Sequence, residues 1–101
     1  MTYAVGYRPE AVADVLAAFD WYEAECPGLG GEFRAALMKA EHLLSNTPTA
    51  FPIVHRTLRR ILLHRFPYSV YFVISGETVQ IWGCIHQARH PSAWRSRGRA
   101  V

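Results

Sequence analysis

The amino-acid sequence predicts one α+β domain of order β-α-α-β-β-β, with a helical hairpin packed on one face of a small antiparallel sheet. Two observations predict this class. Apolar residues recur at helical spacing through most of the first half of the chain and alternate with a period of two in the second half. Breaks containing Pro or Gly separate these stretches. The 101 residues are enough for a single domain, residues 1–101, with its own core.

The first elements are a short strand and a helix. Thr2–Tyr7 alternates large and small side chains, which is typical of a strand. Pro9 then fits the first turn of a helix, where its missing N–H would have no intrahelical partner. The expected apolar face of this helix consists of Val12, Val15, Leu16, Phe19 and Tyr22.

A second helix follows the break at Cys26-Pro27-Gly28. It is expected to end at Asn46-Thr47-Pro48, because the residue before a proline avoids helical backbone angles. The short connection predicts that the two helices pack as an antiparallel hairpin. The expected apolar stripe of the second helix consists of Leu29, Phe33, Ala36, Leu37, Ala40, Leu43 and Leu44.

The rest of the chain predicts three strands and a basic tail. Residues 58–66, 68–75 and 78–86 alternate as strands do, and Ser75-Gly76-Glu77 predicts a tight turn between the last two. A polar, basic tail then covers about residues 90–101. Its single aromatic residue, Trp94, is expected to dock the tail back onto the sheet.

Charge is sorted along the chain. Residues 1–50 carry three basic and seven acidic side chains, a net charge of −4, whereas residues 51–101 carry eight arginines and one acid, a net charge of +7. Arginine suits bidentate contact with phosphate or carboxylate. The second half is therefore expected to present a basic surface to an anionic partner. The alternative for each arginine is a solvated position on a strand or in the tail.

Cysteine, histidine and glycine spacing predicts neither a metal site nor a bound cofactor. Cys26 and Cys84 have no CxxC partner, which indicates two reduced thiols. His86 and His90 straddle the end of a strand, and no Cys, Asp or Glu close in sequence completes a ligand set. Gly28-Leu29-Gly30-Gly31 follows a helix rather than a strand, so it predicts a turn instead of a phosphate-binding loop.

The apolar segments predict a cytoplasmic protein without a membrane partner. The N-terminal segment has no basic stretch followed by an apolar one, so we expect no signal peptide. The longest apolar run, Val70-Tyr71-Phe72-Val73-Ile74, has the length of a strand and is far too short to cross a bilayer.

Short motifs follow one another along nearly the whole chain. They are Pro9-Glu10-Ala11, Trp21-Tyr22-Glu23, Pro27-Gly28-Leu29-Gly30, Arg59-Arg60, Arg65-Phe66-Pro67-Tyr68 and His86-x-x-Arg89-x-Pro91-x-x-Trp94. In order and spacing they resemble the RelE/ParE superfamily of type II toxin–antitoxin toxins. The resemblance implies a small bacterial toxin that is neutralised by a cognate antitoxin protein. It also implies that the toxin–antitoxin complex binds operator DNA, mainly through the antitoxin.

The superfamily divides by activity. The Pro-Gly-Leu-Gly, Phe-Pro-Tyr and His-x-x-Arg patterns look closer to ParE-like members, which implies a non-enzymatic inhibitor of DNA gyrase. RelE-like members cleave mRNA on the ribosome, using basic residues on the sheet and a tyrosine or similar group near the C-terminus. Here Arg60 and Arg89 match the arginines, but no tyrosine follows Tyr71. His86 or His90 would therefore act as the acid or base. A third reading is an inactive antitoxin-binding module. Residues expected to bind the target or the antitoxin are Arg59, Arg60, Arg65, Arg89, Trp94, Arg95 and Arg97.

Overall fold

The computed structural model describes residues 2–98 as one sheet, two long helices, a short third helix and a single 3-10 turn at Pro48–Ala50. The elements are β1 Ala4–Tyr7, α1 Pro9–Glu25, α2 Leu29–Asn46, β2 Ile53–His55, β3 Leu58–Leu62, β4 Tyr68–Ser75, β5 Thr78–His86 and α3 Ser92–Arg95. The predicted basic tail is described as far as Gly98, and Arg99 lies outside the described residues. Among the described residues, no helix has the length and apolar character needed to cross a membrane.

The α+β class and the helical hairpin are confirmed, but the sheet is mixed rather than wholly antiparallel. Its strand order is β1-β5-β4-β3-β2, and β1 runs parallel to β5 whereas all other neighbours are antiparallel. The register joins Ala4 to Thr78, over seventy positions apart. Alternation along a strand does not reveal such a distant neighbour. The short β2 was not predicted, because three residues are too few to show a period.

The helical hairpin forms as its sequence predicts, except that Leu43 of the expected apolar stripe of the second helix is 43% exposed. Helix α1 begins at Pro9, and α2 begins after Gly28, whose φ of 94° is readily adopted only by glycine. The Glu23 carboxylate accepts hydrogen bonds from the backbone N–H groups of Gly28 and Gly30, both at 3.0 Å. It thereby satisfies donors at the N-terminus of α2 that have no intrahelical partner.

The expected apolar face of α1 is wrong in part. Tyr22 is buried as expected, but Val12 and Leu16 are 43% and 58% exposed. The residues that α1 buries besides Tyr22 are the small Ala11 and Ala18. Because small side chains let a helix approach a sheet closely, the bulkier neighbours on this helix lie beside the contact rather than in it.

The sheet carries an apolar cluster on each face. On the helix side, Phe33, Phe72 and Ile81 are among the fully buried residues of the main core. The opposite face is covered by the tail: Trp94 stacks on Tyr71 with ring centroids 5.0 Å apart and planes at 12°. This contact bears out the predicted docking of the tail onto the sheet.

Candidate functional site

A cleft lies between the sheet and the tail, on the face opposite the helical hairpin. We call it the arginine cleft; its volume is about 300 Å³. Arg60 of β3 lies in register with Tyr71 of β4, on which Trp94 stacks, so strand pairing places the guanidinium beside this aromatic pair. The lining residues are Arg60, Leu62, Ser69, Tyr71, His86, Gln87, Arg89, Pro91 and Trp94.

The end of β5 brings His86 and Arg89 into the same cleft. The Arg89 N–H donates to the His86 carbonyl at 3.0 Å, which turns the chain sharply after the strand. The Ala88 N–H donates to His86 Nδ1, also at 3.0 Å. Because Nδ1 accepts this hydrogen bond, the neutral ring carries its proton on Nε2, which can act as a donor to a ligand.

The structure divides the predicted arginines into two groups by their contacts. Arg59 donates to the Phe51 carbonyl at 2.7 Å, and Arg65 donates to Glu32 at 2.9 Å. By contrast, within residues 2–98 no carboxylate forms an ion pair with any of three arginines around the tail. These three are Arg60, Arg89 and Arg95. They can bind an external anion without first breaking an internal ion pair.

Arg97 forms an ion pair that we call the Asp14–Arg97 clasp. Its Nη1 and Nη2 atoms donate to Asp14 at 2.8 and 3.1 Å, and Nη1 also donates to the Trp82 carbonyl at 3.0 Å. Asp14 in turn accepts from the Cys84 N–H at 3.0 Å. These contacts satisfy the edge of β5 beyond its pairing with β1. The hydrogen bond to Asp14 raises the pKa of Arg97.

His90 and Arg95 lie in a neighbouring pocket on the other side of α3, which we call the α3 pocket. It has a volume of about 310 Å³ and is lined by His55, Arg56, His90, Ser92, Arg95 and Ser96. The structure therefore brings together Arg60, Arg89 and His86 from the predicted catalytic set and places His90 apart from them.

Sequence reasoning missed a groove along the helical hairpin, which we call the hairpin groove. It has a volume of about 420 Å³, and its lining includes the exposed Val12, Leu16 and Met38. At one side Tyr7 donates a hydrogen bond to Glu41. Burial and this hydrogen bond raise the pKa of Tyr7. No sequence signal reveals the groove, because apolar residues at helical spacing predict a buried face whether or not the chain covers it.

The described residues offer no ligand set for a metal ion. Within residues 2–98, no three His, Cys, Asp or Glu side chains lie close enough together to hold one. The chemistry available in the arginine cleft is thus that of guanidinium groups, an imidazole and stacked aromatic rings. These groups bind anions and can transfer a proton.

Comparison with known proteins finds similarity in structure. No family model matches the sequence, and no curated protein matches it. Among solved structures, a chain described as "Chromosomal ParDE TA system from P. aeruginosa" is similar with a TM-score of 0.74 and 20% sequence identity. The similarity covers 84% of this chain and 96% of that chain. At this identity it concerns the fold, and at that level it confirms the resemblance read from the motifs. The chain therefore has the fold of a chain of the ParDE toxin–antitoxin system.

Proposed function

We propose that this protein is the toxin of a type II toxin–antitoxin module, which inhibits growth by acting on DNA gyrase and is neutralised by a cognate antitoxin. The observation that carries the proposal is the fold shared with the ParDE chain over 96% of that chain's length. The arginine cleft supports it, since Arg60 and Arg89 are held at one surface without internal ion pairs among the described residues.

Two surfaces support a protein partner. The hairpin groove exposes Leu16 and Met38, at 58% and 57%, and contiguous exposed apolar side chains commonly mark a protein interface. The arginine cleft would receive an acidic segment of the antitoxin or of the target. An antitoxin bound in the cleft would block the target from the same arginines, which is a direct route to neutralisation. Operator DNA would be bound through the antitoxin.

A non-enzymatic action is favoured by the position of the last tyrosine. Tyr71 is 3% exposed, and its ring is stacked against Trp94. Its hydroxyl therefore has little freedom to move a proton to or from a bound substrate. Inhibition by binding needs no such group, only a complementary surface.

The second candidate is a ribosome-dependent mRNA endoribonuclease, and the grouping of Arg60, Arg89 and His86 favours it. In such a reaction the 2′-hydroxyl of RNA loses its proton to a base and attacks the adjacent phosphorus, and the 5′-oxygen leaves with a proton from an acid. The arginines would stabilise the charge on the pentacoordinate phosphorus. His86 would supply a proton to the leaving oxygen only as the imidazolium, in which Nδ1 no longer accepts from the Ala88 N–H; the neutral ring would donate a hydrogen bond from Nε2.

Purified gyrase and relaxed plasmid distinguish the two candidates. We expect the protein to inhibit supercoiling, and the Arg60→Gln, Arg89→Gln double variant to inhibit it at least tenfold less. Lys39→Gln, which removes a positive charge from the exposed face of α2, is the matched control and is expected to inhibit like the parent. Undiminished supercoiling together with cleavage of ribosome-bound mRNA would instead establish the endoribonuclease. If the protein neither inhibits supercoiling nor cleaves mRNA, it is the inactive antitoxin-binding module.

A further inference from the structure

The α2 side of the hairpin groove carries a charge pattern that is complementary to itself when reversed. Arg34, Met38 and Glu41 line the groove and follow one another at spacings of four and three residues, so they lie on one face of the helix. Gly31 and Ser45 continue the same face at its two ends. From either end, the face therefore presents a small residue, a charge, a methionine, the opposite charge and another small residue.

The two charges on this face cannot pair with each other within one chain. Seven residues of helix separate Arg34 from Glu41, which is a rise of about 10.5 Å. Among the described residues, Arg34 forms no ion pair with a carboxylate. Glu41 accepts a hydrogen bond from Tyr7 through Oε2, and no described residue donates to its other oxygen, Oε1. Both charges can therefore bind an outside partner.

Exposed apolar side chains occupy the space around these charges. Met38 is 57% exposed on α2, and Val12 and Leu16 are 43% and 58% exposed on α1. The buried Phe33 and Leu37 also line the groove. A partner that covers the groove must bring an apolar centre with a negative group at one end and a positive group at the other.

We propose that this partner is a second copy of the chain, whose α2 packs antiparallel on the first copy about a two-fold axis beside Met38. The midpoint between Arg34 and Glu41 lies next to Met38, so the axis places each arginine opposite the glutamate of the other copy. Met38 of each copy then enters the groove of the other, near Leu16. Packed helices have axes about 8–10 Å apart, a separation that arginine and glutamate side chains together can span.

Such a dimer joins the two copies back to back. The hairpin packs on one face of the sheet, and the arginine cleft lies on the opposite face. Both clefts therefore stay open in the dimer, and any helix of another protein that binds in the hairpin groove must first displace the second copy. The proposal goes beyond the proposed function, and its test needs only the purified protein, so its failure would leave the action on gyrase untouched.

Sedimentation velocity of the purified protein tests the dimer at concentrations from about 1 to 500 μM. We expect a monomer–dimer equilibrium with a Kd on the order of 10 μM, because an interface made by one helical hairpin from each copy lies at the small end of specific interfaces. Met38→Asp brings two carboxylates together at the axis and should raise the Kd at least tenfold.

Charge reversal tests the antiparallel arrangement itself. Arg34→Glu and Glu41→Arg each bring like charges together at both ends of the interface, so each variant alone should be monomeric. An equal mixture of the two restores both opposite pairs and should form a heterodimer with an affinity near that of the parent dimer. Lys39→Glu is the matched control, since it makes the same charge change on α2 away from this face, and it should dimerise like the parent.

Three results would overturn the proposal. The first is a parent protein that stays monomeric at 500 μM, which would leave the groove to a different protein. The second is a mixture of the two folded charge variants that stays monomeric. The third is a Lys39→Glu variant that dissociates as Arg34→Glu does, which would reduce the effect to net charge.

Circular dichroism and thermal unfolding establish that each variant is folded before it is sedimented. Glu41→Arg removes the acceptor of the Tyr7 hydroxyl and is the variant most exposed to misfolding. If it does not fold, the comparison of Arg34→Glu with Lys39→Glu decides. Dimerisation of Arg34→Glu with the parent Kd would then contradict the proposed pairing.

Discussion

At the residue scale, Gly83 makes the Asp14–Arg97 clasp possible. A Cβ atom added at Gly83 would lie 3.1 Å from Arg97 Nη1 and 3.5 Å from Asp14 Oδ2. The ion pair joins α1 to the tail past the edge of β5, and its side chains are only 19% and 26% exposed. Because these two charged side chains are largely removed from water, their ion pair stabilises the fold only if their remaining hydrogen bonds are also made.

We therefore predict that Gly83→Ala destabilises the protein by about 1–2 kcal/mol, because the new methyl group crowds the guanidinium and displaces it from Asp14. Urea unfolding measures the change. Gly6→Ala is the matched control in the neighbouring strand, since its Cβ would meet nothing within 4 Å, and it should change stability by less than about 0.5 kcal/mol. Equal effects of the two substitutions would refute the role of the clasp.

The contacts of single arginines explain why only part of the site could be predicted. Their sequence clustering predicted a basic surface, and Arg60 and Arg89 do line one cleft. The sequence could not reveal which arginines are already engaged. Arg65 pairs with Glu32, 33 positions away, and Arg97 pairs with an aspartate 83 positions away. Only the folded chain brings such partners together.

At the element scale, the sequence pattern predicted the features that depend on neighbouring residues, namely the starts of the helices and the presence of the strands. Pro9 and Gly28 set the starts of the helices, and the period of two identified β3, β4 and β5. The predicted strand over residues 58–66 is too long, since β3 ends at Leu62 and the chain turns at Arg65, whose φ is 73°. Trp94 was predicted to dock because a large apolar ring in a polar segment gains by leaving water. The parallel pairing of β1 with β5 could not be predicted from alternation, since it depends on where the hairpin returns the chain.

The helical hairpin shows the limit of periodicity as a guide to burial. Helical spacing correctly identified α1, yet Val12 and Leu16 remain exposed because the helix meets the sheet through alanines. An apolar helix face can therefore pack either in the core of its own domain or against a partner protein. The same pattern in sequence serves both.

At the scale of the whole molecule, buried ionisable groups set the response to alkaline pH. Burial, followed by the nearby Asp14 charge, raises the pKa of the Cys84 thiol from 9.0 to about 12. Burial and the hydrogen bond to Glu41 raise the pKa of Tyr7 above its ordinary value of 10.0. Both groups thus stay protonated in the folded protein at a pH where they ionise in the unfolded chain.

We predict that the free energy of unfolding is constant to about pH 9 and then falls by about 1.4 kcal/mol per pH unit, and more steeply above pH 10. The sign follows because the unfolded state binds fewer protons than the folded state above pH 9, so alkali favours unfolding. Urea unfolding between pH 7 and 11 measures the slope. In Cys84→Ala the decline should begin near pH 10 instead; an unchanged onset would contradict the assignment to the thiol.

The whole molecule combines an acidic helical half with a basic sheet and tail, and we assign the action on the target to the arginine cleft. Induced expression in bacteria tests this most directly. We predict that the parent protein and Lys39→Gln arrest growth, whereas the Arg60→Gln, Arg89→Gln double variant, expressed to the same folded level, does not. A folded parent protein that leaves growth unaffected, or a double variant that arrests growth as strongly as the parent, would contradict it.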